Sequence, residues 1–100
     1  MTFVLNLDKN FKPCKLPEIE YDMFKFSSGE IHIKVKDIYV PLNVHSLPNT
    51  EDVKIIITNM IRSSDNLMSI LIAKNALNIM GFKNLELIIP YVPYVRYLKY

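Results

Sequence analysis

The chain has little of what usually marks a redox, metal or membrane protein. In 100 residues there are one cysteine, two histidines, two glycines and no tryptophan. A lone Cys14 cannot close an intramolecular disulfide, and nothing in the composition signals an oxidising compartment. Only Lys12 and Lys15 lie near it in sequence, so it reads as an inert thiol. The patterns HExxH, CxxC, GxSxG, GxxxxGK and GxGxxG are all missing, and no catalytic constellation can be assembled from these residues alone. His32 falls on the polar side of a strand pattern and His45 in a loop pattern, and both read as surface residues. Excess charge is missing too: twelve Lys and Arg against ten Asp and Glu leave +2, too little to argue for nucleic acid or a membrane surface. No apolar run approaches the roughly 18 residues of a membrane span. The start MTFVLNLDK lacks the basic region and small-residue cleavage site of a signal peptide, so the expected location is the cytoplasm.

What is present points to a folded core. Half the residues are apolar and 22% are charged, far from the composition of disordered chains. The length suits one domain, residues 1–100, which would bury roughly 60 to 65% of the surface its unfolded chain exposes. Such a core is marginal unless a partner chain or further sequence covers more of it.

Residues 2–7 have the β-rich content of a first strand, and Pro13 and Pro17 forbid an uninterrupted helix between 8 and 20. Residues 21–26 and 31–35 read as two strands. In the second, Ile31, Ile33 and Val35 alternate with His32, Lys34 and Lys36. Ser27, Ser28 and Gly29 supply the turn of an antiparallel hairpin. Residues 38–40 suggest a short edge strand. The continuous apolar run 53–58 suits a strand covered on both faces. Ser63 or Ser64 offers an N-cap, Asp65 a first-turn carboxylate, and 67–80 run without Gly or Pro until Gly81. Apolar residues surround most of this helix, which predicts packing on two sides. Residues 85–89 make a last strand stopped by Pro90. Strand, helix, strand in that order predicts a βαβ unit with parallel strands.

Three stretches carry chemical interest. Phe26 and Glu30 bracket a tight turn, where a ring could stack on a purine and a carboxylate accept its amino protons. Ser64-Asp65-Asn66-Leu67-Met68 opens the helix. Arg96 follows the strand ending at Pro90, at the carboxyl edge where open α/β sheets bind ligands, and its guanidinium suits phosphate.

In order and spacing, FSSGEIHIKV, SDNLMSILIAKNAL and IIPYVPYVRYLKY resemble the amino-terminal domain of the ribose-phosphate pyrophosphokinases, whose landmarks are an F-S-D/N-G-E-like turn, an N-D-N-L-M-E-L-L helix start and a closing P-Y-x-P-Y-A-R-Q-D-R. The resemblance covers residues 21–99. It implies an α/β fold with an open, mostly parallel sheet of phosphoribosyltransferase-like type, an antiparallel hairpin, one main helix and an incomplete second half. It also implies transfer of the β,γ-diphosphoryl group of ATP to ribose 5-phosphate with magnesium in nucleotide biosynthesis, by a homo-oligomer whose first domains supply adenine contacts across a subunit interface. On this resemblance Phe26 and Glu30 match the adenine-binding turn, Ser28 stands where the family has Asp or Asn, and Arg96 matches an arginine on the ATP phosphates. Asp65, Asn66, Leu67 and Met68 match a structural helix start.

The chain also departs from that pattern. Tyr97 and Leu98 replace the Gln-Asp pair, which removes an expected ATP contact, and the 8–20 segment is too short for the family's first helix. The catalytic loop, the magnesium-binding histidine segment and the second, carboxyl-terminal catalytic domain have no counterpart in these 100 residues, so the chain alone is expected to be inactive. An alternative is a non-catalytic regulatory or assembly module of the same fold. A third reading, weaker on charge, is single-stranded nucleic-acid binding by Tyr91, Tyr94, Tyr97 and Tyr100 with Arg96 and Lys99.

Overall fold

In a computed structural model, residues 1–36 and 52–90 are described. The sequence-predicted strand at 38–40, His45 and the whole of 91–100, including Arg96 and the tyrosine series, lie outside the described residues.

Among the described residues five strands and one helix follow in the order β1 (Thr2–Asn6), β2 (Tyr21–Lys25), β3 (Ile31–Val35), β4 (Lys54–Thr58), α1 (Ser64–Ile79) and β5 (Asn84–Ile88). The fold class is α/β: β1, β4 and β5 form a parallel sheet with β4 in the middle, and β2 pairs with β3 in a separate antiparallel hairpin. The most apolar strand takes the centre because both its faces are buried there. Ile55 and Ile57 are 0% and 3% exposed on one face, Ile56 and Thr58 8% and 0% on the other. The register Phe3 to Ile55 to Leu85 carries the first of these faces across all three strands.

Against that face pack Ile70, Ala73 and Leu77 of α1, joined by Ile33 from the hairpin and by Ile19, Val53 and Phe82. The hairpin in turn lies on the helix. Lys25 Nζ reaches Asp65 Oδ2 at 2.8 Å, and Ser69 Oγ lies 3.7 Å from Met23 Sδ. Helix α1 therefore buries Ser69, Ile70, Ala73 and Leu77. Its other apolar side is exposed within the single chain, where Met68, Leu71 and Ile79 are 50%, 60% and 78% exposed.

Both ends of α1 are closed by local chemistry. Asn66 Oδ1 accepts the backbone N–H groups of Arg62 and Ser63 at 2.8 and 3.0 Å, satisfying donors just before the first turn. At the other end Gly81 N–H donates to Asn78 O and Phe82 N–H to Leu77 O, both at 3.0 Å, with Gly81 at φ 99°. This is a Schellman closure, which needs the left-handed conformation that glycine adopts without a Cβ clash. Proline-interrupted residues 8–20 form no helix but still serve the sheet. Val4 N–H donates to Pro17 O at 3.0 Å and Ile19 N–H to Val4 O at 2.8 Å, so the segment seals the outer edge of β1.

Candidate functional site

The β2–β3 turn is tightly specified. Gly29 N–H donates to Phe26 O and Phe26 N–H to Glu30 O, both at 2.8 Å, and Gly29 sits at φ 90°. That combination is a three-residue hairpin loop with a glycine bulge, the arrangement Ser-Ser-Gly favours. Strand alternation then sorts the side chains. Met23 and Lys25 face the helix, while Phe24, directly across from His32, faces out with Phe26. Phe24 and Phe26 meet edge to face at 5.5 Å and 87°, and His32 lies 4.9 Å from Phe24 and 6.4 Å from Phe26. The two phenyl rings are 44% and 50% exposed. Ser28 and Glu30 are exposed beside them. The result is a solvent-facing aromatic platform with a carboxylate at its rim, on a backbone held by its own hydrogen bonds.

A second polar group of residues occupies the carboxyl end of the parallel sheet. Thr58 Oγ1 donates to Asn6 Oδ1 at 2.6 Å, Asn6 Nδ2 donates to Glu18 Oε1 at 2.5 Å, and Lys12 Nζ lies 3.3 Å from the same oxygen. The hydrogen bond from Asn6 holds the Glu18 carboxyl below its ordinary value, with the Lys12 contact adding to the effect. Tyr21 OH donates to Asn6 O at 2.7 Å. Burial first, and the negative charges of Asp8 and Glu18 second, push this phenol upward, so it remains a neutral donor. Arg62 Nη1 is 2.7 Å from Asp8 Oδ2, whose side chain is only 10% exposed. A cleft of about 650 Å3 opens here, lined by Asn6, Glu18, Tyr21 and Lys36 among others. Its rim mixes Lys9, Lys12 and Lys36 with Glu18, Glu20 and Asp22. Within it Lys12 pairs with Glu18 and Lys36 with Glu20, so much of this charge is engaged inside the chain.

Phe26, Ser28 and Glu30 thus share one turn, and none of them lines the cleft. Arg96 lies outside the described residues. Asn6, Asp8, Thr58 and Arg62 were not singled out by sequence. The available signal was polar residues directly after the apolar runs of two strands that prove to be neighbours. Among the described residues no group of three His, Cys, Asp or Glu gathers where it could hold a metal ion, and no helix is long and apolar enough to cross a membrane. Compared with family models, curated proteins and solved structures, the chain matches none of them.

Proposed function

We propose that this chain is a ribose-phosphate pyrophosphokinase-like amino-terminal domain of phosphoribosyltransferase-like type, and that its β2–β3 turn takes the adenine ring of ATP. One observation carries the reading: Phe26 presents a half-exposed ring on a turn fixed by two 2.8 Å backbone hydrogen bonds, with Glu30 as its cross-strand neighbour. An ordered aromatic face can stack on a base without first losing conformational freedom, and a carboxylate accepts protons from an exocyclic amino group. Ser28 occupies the tip, where its hydroxyl can add a weaker polar contact. Arg96 supplies the phosphate contact in this proposal, since a guanidinium fork suits phosphate oxygens. Magnesium would accompany the nucleotide, and no described residue is assigned to it. Ribose 5-phosphate and the transfer step belong to residues that a longer family member would provide.

Calorimetric titration with ATP tests this reading. Phe26→Ala should weaken binding about five- to a hundredfold, the range of one lost base stack. Arg96→Ala should weaken it about ten- to a hundredfold through a lost charge-assisted contact. Titrations unchanged by both substitutions would remove the nucleotide role. They would favour the assembly module instead, which the exposed apolar side of α1 supports.

A further inference from the structure

The outer face of the hairpin carries its side chains in register. Asp22 stands opposite Lys34 and Phe24 opposite His32, and Phe26 is joined through its backbone to Glu30. His32 is thus across from one phenyl ring at 4.9 Å and diagonal to the other at 6.4 Å. Glu30 precedes it by two residues, so alternation puts both on the same face of the chain. A flat base lying on Phe26 would therefore have Glu30 and His32 on the same face of the neighbouring chain segment.

Those two groups differ in what they offer. An ionised carboxylate only accepts hydrogen bonds, whereas an imidazole carries an N–H whether neutral or protonated. Adenine presents a matching edge, with the 6-amino donor beside the N1 acceptor. Guanine presents the reverse, with an O6 acceptor beside an N1–H donor.

We propose that His32 is a specificity-determining residue of the hairpin site, donating to N1 of the base while Glu30 accepts from the 6-amino group, so that the pair selects adenine over guanine nucleotides. The inference rests on the hairpin being the nucleotide site. It adds a residue that the turn motif does not contain, on the strength of the strand register and the ring geometry.

The test titrates the full chain with ATP and GTP, using wild type, His32→Phe, His32→Gln and Phe26→Ala. His32→Phe keeps an aromatic partner for Phe24 and removes the donor. It should lower ATP affinity about three- to tenfold, leave GTP affinity unchanged and bring their ratio toward one, with the thermal midpoint unmoved. His32→Gln retains an N–H donor and should restore part of the preference. If Phe26→Ala loses ATP while His32→Phe keeps the wild-type ratio, the role of His32 is overturned and the hairpin site stands. If wild type binds no ATP, or Phe26→Ala binds it equally well, both readings fall together.

Discussion

Asn6 uses both ends of its amide, accepting from Thr58 and donating to Glu18, and so ties the end of β1 to β4 on one side and to the 8–20 segment on the other. Glu18 is the titratable member of that chain. Its carboxyl is held below the ordinary value of 4.5, chiefly by the Asn6 hydrogen bond. A carboxyl lowered by folding stabilises the fold above its unfolded value, and that contribution disappears as pH falls through the lower folded value. Glu18→Gln should therefore unfold at lower urea concentration than wild type at pH 7, and the gap should narrow as the pH drops below 4.5. A gap that stays constant with pH would assign the loss to shape instead of charge. Sequence pointed to none of the described residues at this end of the sheet. They are brought together by pairing across more than fifty positions, as between Asn6 and Thr58, and no local pattern encodes such a contact.

Within the elements, local chemistry was far more legible. The Ser-Ser-Gly turn, the alternation of Ile31, Ile33 and Val35, and the glycine after the helix each act over a few residues, and each appears where the sequence puts it. Strand bounds at 54–58 and 84–88 differ from the expected 53–58 and 85–89 by a residue. The parallel pairing of β4 with β5 around α1 follows from element order. Less visible was the edge of β1, where residues 17–19 bond through backbone groups that carry no side-chain signature. Gly81 gives the sharpest test at this scale. At φ 99° an alanine is strained, so Gly81→Ala should cost roughly 1 to 2 kcal/mol, seen as a lower urea midpoint with an unchanged slope. An unaltered midpoint would mean that the helix end relaxes to another closure.

For the molecule as a whole, the helix decides what the surface offers. Its buried side completes the core through Ile70, Ala73 and Leu77, while Met68, Leu71 and Ile79, spaced three and eight residues apart, fall on one face of the helix and form an apolar stripe in solvent. Leu67, at 37% exposed, widens that stripe toward the start of the helix. A domain this small gains little from its own core, so covering the stripe offers a substantial further stabilisation. A second copy of the chain is the simplest cover, and a two-fold interface would set stripe against stripe. Sedimentation equilibrium at micromolar concentration should then report a dimer or larger species. The double substitution Leu71→Glu and Ile79→Glu should return it to monomer, with helical circular dichroism unchanged because both side chains are already 60% and 78% exposed within one chain. A wild-type monomer would instead leave the stripe to a different protein or to further sequence of its own.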